Sequence, residues 1–391
     1  MNNNSENISS RAYQILERLI LEVGARPAGS IAEKTGHELV ADLLKSKGYN
    51  ITWMDVPFAP QPVFFPFYTL AAIGFAVSAG SLSKAAWLGL FMPVLVVVMP
   101  ELILWLKKRM PAKDKSNNLL ALPANTTLDE IDIIFCTHMD TARGTPTSGE
   151  AWYQWRSEVF KTMLRVAVIL AILGVMDLVG FLLPAPVVLA AQIITALLVV
   201  VLIVQDVWEQ VGSAGKFSPG ANDNGSGVAV VTALAEYFGE QKLEKLKVGY
   251  LFSGAEECGL FGARQFAAYM RENEVKASVL SVDMVGAGWS LKVINQAGTI
   301  SRFKTNLDLI EMLERANPQI ERLTYTRRSG DFEPFCRSGI KASGIESGGT
   351  KRSWRAYHSL GDSLEIIDKE MLIQTVETLR QLIWLIEKTK N

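Results

Sequence analysis

Two adjacent carboxylates, Glu256 and Glu257, follow the apolar stretch KVGYLF in SGAEECGLFGA, residues 253–263. Like charges side by side at the end of a half-buried strand repel each other and are costly to keep ionised, so the pair needs a counter-charge or a task. His138 closes a second apolar stretch in IDIIFCTHMD, with Asp140 two residues on. A metal-binding imidazole needs its other ring nitrogen anchored, commonly by a carboxylate, and an H-x-D turn at a strand end can supply one, although the pattern also arises by chance. Asp223 lies in the Gly-rich PGANDNGSGVAVV, either as a ligand or, with Asn224, as a cap on the helix that follows. Asp283 ends the apolar run SVLSVDM, and His358 stands in RAYHSLGDSLE. Two His, two Asp and one Glu, with no thiolate, suit a pair of Zn²⁺ ions or a similar divalent pair. One glutamate of the doublet can then ligate while its neighbour takes a proton from a water whose pKa the metal lowers from about 15.7 toward about 7.

For these residues to meet, the chain must bring several strand ends together. Amphipathic patterning predicts helices over 12–23 and 32–47, then a strand at ITWMDV. NLLAL and IDIIFC read as further strands, followed by a helix opening near Ser226, the strand KVGYLF, a helix after Gly262, the strand SVLSVDM and a last helix over 369–388. The alternation predicts an α/β fold with a mostly parallel central sheet flanked by helices, whose strands share one crevice at their carboxyl ends. His37, in EKTGHELVADLL, is expected on the solvated side of its helix and is assigned no role.

Across 391 residues, 39 Lys and Arg balance 40 Asp and Glu, so the net charge of -1 exerts no pull on nucleic acid, and no nucleic-acid partner is expected. Three widely spaced cysteines, Cys136, Cys258 and Cys336, argue against a disulfide framework, and the polar start MNNNSENISS shows no signal peptide. The mean hydropathy of +0.18 is high. The excess is concentrated in residues 64–106 and 163–205, each an apolar hairpin with halves of about 17 to 22 residues. About 20 apolar residues span a hydrocarbon core, so four transmembrane helices and a lipid-bilayer partner are expected. Lys107, Lys108, Arg109, Lys113, Lys115, Arg156, Lys161 and Arg165 flank the hairpins and only Lys84 lies at a tip, which predicts an integral protein of the cell membrane with its remaining segments on the cytoplasmic side. Those segments, 1–63, 107–162 and 206–391, are expected to assemble as one domain. Asp177 and Gln192 are expected to hydrogen-bond across the second hairpin.

The order H-x-D, P-G-A-x-D-N-x-S-G, E-E-x-G-L-x-G-A, a strand-closing Asp and Y-H-S with a later Asp, together with an early GARPAGS and a late SGDFEPFCRSGI, resembles the di-zinc metallopeptidases that include bacterial leucyl aminopeptidase, aminopeptidase Y and glutamate carboxypeptidase. The similarity covers the chain outside the two hairpins. It implies the zinc exopeptidase fold, of the phosphorylase/hydrolase-like kind, and hydrolysis of peptides by an aminopeptidase with two Zn²⁺ ions. One ion would be held by His138 and Asp283 and the other by Glu257 and His358, with Asp223 bridging. Glu256 would be the general base, Asp140 the group orienting His138, and Tyr357 a group helping to hold the tetrahedral intermediate. Asp331, Arg327 and Arg328 are candidate substrate-binding residues, the arginines able to clamp a substrate carboxylate. The hairpins depart from the family pattern and imply a site near a bilayer surface. Three alternatives stand beside this reading: a carboxypeptidase, a single-metal glutaminyl-cyclase-like enzyme, and a non-catalytic membrane receptor or scaffold, against which the complete ligand set counts.

Overall fold

The computed structural model describes residues 3–59, 67–107, 111–144, 150–213, 215–241, 243–298, 301–326, 328–349 and 356–390. The chain divides into a unit of Met1–Pro60, Ala112–Gly144 and Phe217–Asn391 and a second unit of Gln61–Pro111 and Thr145–Lys216. Among the described residues the first unit holds helices α1 (Asn3–Arg18) and α2 (Ile31–Lys45), and the second holds α3 (Phe67–Gly80), α4 (Met92–Lys107), α5 (Glu150–Leu178) and α6 (Ala185–Ser213). The first unit then resumes with α7 (Gly227–Glu240), α8 (Phe261–Glu272), α9 (Leu307–Ala316), α10 (Phe332–Arg337) and α11 (Lys369–Thr389).

The strands are β1 (Tyr49–Phe58), β2 (Asp114–Pro123), β3 (Ile133–His138), β4 (Val248–Ser253), β5 (Ser278–Val282), β6 (Ser290–Ala297), β7 (Phe303–Lys304), β8 (Glu321–Tyr325) and β9 (Ala342–Gly348). They form one sheet in the order β1-β2-β4-β3-β5-β9-β6-β7, with β8 paired to β6. Only the centre, β4-β3-β5-β9, is continuously parallel. β1 on β2, β2 on β4 and β6 on β9 run antiparallel, so the sheet is mixed and not mostly parallel as the alternation predicted. The reason is connectivity. Parallel neighbours need a long crossover, and the first unit has no helix of its own between β1 and β2.

Every residue of β3 and β4 is buried, as strands covered on both faces must be. Successive side chains point to opposite faces. Phe135 therefore packs with Tyr250, Leu16, Val230 and Leu379 on one face, and Ile134 and Cys136 pack with Phe266, Met270 and Phe335 on the other. This layering leaves the carboxyl ends of β3, β4 and β5 side by side, with His138 in register with Ser253. His37 is a correction. It is fully buried, its Nε2 donates to the Phe252 carbonyl at 3.2 Å, and its ring meets Trp53 edge-on at 6.0 Å. Glu33, Gly36, His37, Val40, Ala41 and Leu44 share the inward stripe of α2, and burial lowers the imidazole pKa to about 4, keeping it neutral.

In the second unit Phe75, Met92, Val96, Met163, Leu170, Leu198 and Leu202 form a buried cluster. The outside is apolar as well: Leu182 is 92 % exposed, Val211 73 % and Leu197 64 %. Among the described residues two helices are long and apolar enough to cross a membrane, Glu158–Leu178 and Ala185–Trp208, not the four expected. The first hairpin contributes only the shorter apolar helices Tyr68–Gly80 and Ala86–Met99, the second opening on a tight 3-10 turn, Ala86–Phe91. Phe64, Phe65 and Pro66 lie outside the described residues. Asp177 and Gln192 do not pair with each other. Asp177 accepts the Trp87 amide at 3.3 Å and Gln192 donates to the Ala79 carbonyl at 3.1 Å, so each bonds to the first hairpin. At the other end of α3, Thr69 donates to the buried Asp206 of α6.

The first hairpin approaches α5 through glycines. A Cβ at Gly89 would lie 2.1 Å from the Leu170 carbonyl oxygen, and one at Gly174 would lie 2.9 Å from that of Ala86. The obstacle is backbone, which cannot step aside as a side-chain tip can. Gly89→Val is expected to cost about 1–3 kcal/mol of stability in the second unit. Thermal unfolding of the detergent-purified protein checks this: the midpoint should fall while metal uptake is unchanged, and an unaltered midpoint would mean the close packing carries no energy.

Candidate metal centre

Five ligand-type side chains meet at the carboxyl ends of the parallel strands. His138 ends β3, Glu257 follows β4, Asp283 follows β5, Asp223 lies in the turn before α7, and His358 lies in the loop before α11. His138 Nε2 lies 3.2 Å from Asp223 Oδ1 and 3.5 Å from Asp283 Oδ1. His358 Nε2 lies 3.2 Å from Asp223 Oδ2 and 3.2 Å from Glu257 Oε2. Asp223 thus turns one oxygen to each imidazole. The potential ligand atoms fall into overlapping groups, His138–Asp223–Asp283, Asp223–Glu257–His358 and His138–Glu256–Glu257, with the atoms of each group within 4.8 Å of one another.

Each ligand is held by its own local device. His138 Nδ1 donates to the Asp140 carbonyl at 3.0 Å, which in the neutral ring leaves the Nε2 lone pair facing the carboxylates. The Asp140 carboxylate stands 3.6 Å from Nδ1 and does something further: Oδ1 accepts the Glu256 amide at 2.9 Å and Oδ2 the Glu257 amide at 3.0 Å. Asp362 does the same for the Asp223 turn, accepting the amides of Asn222 at 2.7 Å and Asp223 at 3.0 Å. Asn224 rivets that turn to β3 and to the end of β5. Its Nδ2 donates to Thr137 Oγ1 and the Val282 carbonyl, and its Oδ1 accepts the amides of Gly227 and Met284. The Glu doublet needs its glycines because β2 crosses against it. A Cβ at Gly254 would meet Ser116 Oγ at 2.1 Å, and one at Gly262 would meet Asn118 Oδ1 at 2.4 Å.

Arg26, from GARPAGS, was not singled out as a site residue, yet it joins two ligand turns. Fully buried, it donates from Nε to the Met139 carbonyl at 2.9 Å, from Nη1 to Gly24 at 2.7 Å and Pro219 at 3.1 Å, and from Nη2 to Gly220 at 3.0 Å. The sequence signal available was a basic residue framed by Gly, Pro and small residues, where a solvated arginine has no reason to sit. Burial lowers its pKa to about 10 while Asp362, Asp140, Asp223 and Glu33 hold it charged.

The candidate substrate-binding residues divide. Arg328 grips Glu346 through its guanidinium at 3.0 and 2.6 Å and lies 4.2 Å over the Tyr325 ring. Arg327 lies outside the described residues. Asp331 is buried, accepts from the Ser253 hydroxyl and receives the Cys136 thiol at 3.7 Å. Tyr357 stacks on His358 with ring centroids 3.8 Å apart, and burial among Asp223, Glu257 and Glu256 raises its hydroxyl pKa well above the ordinary value.

The donor set fits divalent metal. Only two imidazoles face Asp140, Asp223, Asp283, Glu256 and Glu257, all nitrogen or oxygen donors, and Asp283 Oδ1 is buried with no hydrogen-bond donor beyond the His138 edge. Burial by itself lowers the pKa values of His138 and His358, but the surrounding carboxylates outweigh it and hold both well above the ordinary value. Burial raises Glu256 and Glu257; Asp223, facing both imidazoles, is lowered despite its burial.

Residues 206–383, less than half of the chain, match peptidase family M28. Aminopeptidase YwaD of Bacillus subtilis strain 168 is 31% identical over 163 residues, which cover 40% of this chain and 36% of that protein. The chain spans little more than a third of the length of the curated relatives it matches. Among solved structures, a leucine aminopeptidase precursor from Bacteroides thetaiotaomicron aligns over 96% of both chains with a TM-score of 0.57 at 14% identity. A glutaminyl cyclase of the same organism, bound to N-acetylhistamine, aligns over 96% of this chain and 97% of its own with a TM-score of 0.56 at 14% identity. These likenesses establish the fold, α/β with a mixed sheet flanked by helices.

Buried carboxyl groups around the centre are shifted toward their protonated forms. Burial raises Glu33 to about 8, Asp362 to about 7 and Asp331 to about 6, against about 4 in an unfolded chain. The fold therefore binds more protons than the unfolded chain between about pH 4 and 8, and stability falls as pH rises through that window. His138 and His358, raised, add to the same slope above about pH 6.5; His37, lowered to about 4, opposes it between about pH 4 and 6.5 as one group against three, and Asp223, lowered, opposes it below about pH 4. Chelator-treated protein is thus expected to melt at a lower temperature at pH 8 than at pH 5, with added zinc raising the midpoint more at pH 8. Calorimetry at the two pH values decides the sign.

Proposed function

We propose that the chain is a zinc metallopeptidase that acts as an aminopeptidase, removing amino-terminal residues from peptides. The observation that carries this reading is the pair of ligand groups sharing Asp223, with Glu256 beside them. The family match over residues 206–383 and the similarity to an aminopeptidase agree with it. His138 and Asp283 would hold one ion and Glu257 and His358 the other, with Asp223 between. Bound zinc would supply Lewis acidity at the scissile carbonyl and lower the pKa of water to about 7. Glu256, held by the Asp140 carboxylate through its amide, takes the proton of the attacking water on its carboxylate and returns it to the leaving amine nitrogen. Tyr357, protonated at working pH, donates to the carbonyl oxygen as charge develops there.

Two observations support this reading over its neighbours. The Arg328 fork is engaged by Glu346 and not held open toward a substrate's terminal carboxylate, which supports aminopeptidase over carboxypeptidase action. Two ligand groups that share Asp223, each with its own imidazole, favour a di-zinc centre over a single-metal cyclase. Glu256→Gln is expected to keep about two zinc ions per chain and lose about 10²- to 10⁴-fold in turnover of amino-acyl substrates. Metal analysis alongside an assay with free and N-blocked peptides checks both parts; undiminished turnover removes Glu256 from the mechanism.

The apolar exterior of the second unit supports a membrane anchor, with α5 and α6 as the spanning pair and the peptidase unit on the cytoplasmic side. The protein is then expected to remain in the membrane fraction through high-salt and alkaline washes and to leave it only with detergent. Release by salt alone would make the apolar surface a protein contact.

A further inference from the structure

The turn that carries Glu256 and Glu257 is hung by consecutive backbone amides on side-chain acceptors. Gly254 N–H donates to Asn118 Oδ1 at 3.1 Å, Ala255 N–H to Glu33 Oε1 at 3.3 Å, and the amides of Glu256 and Glu257 to the two oxygens of Asp140. The acceptors come from three separate places, β2, α2 and the turn after β3. Asn118 also donates to the Gly262 carbonyl at 2.9 Å, closing the far end of the same loop. Inside the loop, Phe261 N–H returns to the Ala255 carbonyl at 3.1 Å and Leu260 N–H to that of Glu256 at 2.7 Å. Ala255 is the sharp point. Its φ is +54°, in the left-handed region that costs a residue with a Cβ about 1 kcal/mol or more, so it stays there only while its neighbours hold it.

We propose that Glu33 is a positioning residue for the Glu256–Glu257 pair, setting the base and one metal ligand by anchoring the Ala255 amide. Capping of α2 does not by itself account for it. Ser30 Oγ accepts the Glu33 amide at 3.1 Å and Glu33 Oε2 accepts the Gly29 amide at 2.7 Å, which completes the helix start with a single carboxylate oxygen. Such capping side chains work as well at the surface, whereas Glu33 is 2 % exposed. Its other oxygen, Oε1, turns away from the helix and accepts both the Ser116 hydroxyl at 2.7 Å and Ala255 N–H. A buried carboxylate is costly, and burial together with the nearby charge of Asp140 raises its pKa to about 8. Three donors directed at it offset part of that cost, and one of them belongs to the residue before the doublet. Without this anchor Asp140 would hold the doublet's amides from one side only, and the turn could relax at Ala255.

The catalytic part of this inference rests on the aminopeptidase reading; the metal part does not. Glu33→Gln keeps size and shape but directs an NH₂ group at one of the donors. Supporting residues of this kind typically contribute about 10- to 100-fold in metal affinity or activity. In Glu33→Gln, kcat on an amino-acyl p-nitroanilide should fall at least about 10-fold with KM within about twofold, because substrate contacts are untouched. Stepwise Zn²⁺ titration of the chelated full-length protein should show the weaker binding step loosened by about 10-fold and the other unchanged. A role confined to folding would lower the melting temperature without splitting kcat from KM or one zinc step from the other. Folded Glu33→Gln with wild-type kcat and both zinc affinities intact overturns the proposal. Should Glu33→Gln not fold, Ser116→Ala, which frees the same oxygen from one donor, should still lower kcat at constant KM, and unaltered kinetics there would overturn it equally. A wild-type protein that binds zinc but cleaves nothing ends the aminopeptidase reading, and the zinc titration of Glu33→Gln still decides the role of Glu33.

Discussion

Asp140, Asp223, Asp283, Glu256 and Glu257 share a buried crevice with two imidazoles, an excess of negative charge that no fold keeps unless fixed dipoles and cations offset it. Much of the surrounding architecture serves that balance. Backbone amides of Asn222 and Asp223 point at Asp362, and those of Glu256 and Glu257 at Asp140. Arg26 places a buried positive charge behind the crevice, where Asp362, Asp140 and Asp223 all act on it. These carboxylates belong to the frame, whereas Asp223, Asp283 and Glu257 present oxygens to the open centre. Metal ions of charge +2 would complete the balance.

The sheet delivers this arrangement through its parallel core. β4, β3 and β5 run the same way, so the residues just beyond their carboxyl ends are neighbours although more than a hundred positions separate His138 from Glu257. The antiparallel strands at either side extend the sheet without adding ligands, but β2 is not idle. At its exposed-to-buried transition Ser116 donates to Glu33, and Asn118 bonds Gly254 and Gly262 at the two ends of the doublet's loop. Two glycines in the doublet's turn are there because β2 leaves no room for a side chain.

The second unit is built on different physics. Its helices pack through glycine and alanine contacts, and its polar side chains bond to backbone or to each other between helices, as Gln192 does with Ala79 and Thr69 with Asp206. That pattern of close packing with few polar groups is what an apolar surrounding selects. The chain enters this unit twice, after Pro60 and after Gly144, and returns each time to complete the sheet or the metal-ligand turns.

The ligand types, their order along the chain and the apolar runs that precede them were legible in the sequence, because strand ends and Gly-rich turns are local patterns with local causes. The parallel centre followed from the helices between β3, β4 and β5; the antiparallel flanks did not, since nothing in β1 or β2 says which neighbour it will take. His37 was placed on the wrong side of α2, although its spacing to Glu33, Val40 and Leu44 already put it on the buried stripe. Arg328 was legible as a basic residue beside a site, but its partner Glu346 lies 18 positions away on β9. What only the tertiary structure decided is the support: that Arg26 ties the His138 turn to the Asp223 turn, that Asp362 faces the Asp223 amide, and that Glu33 reaches the Ala255 amide. Such contacts are set by which segments the folded core brings within hydrogen-bonding distance, and a hydrogen bond of about 3 Å leaves no trace in the sequence of either partner alone.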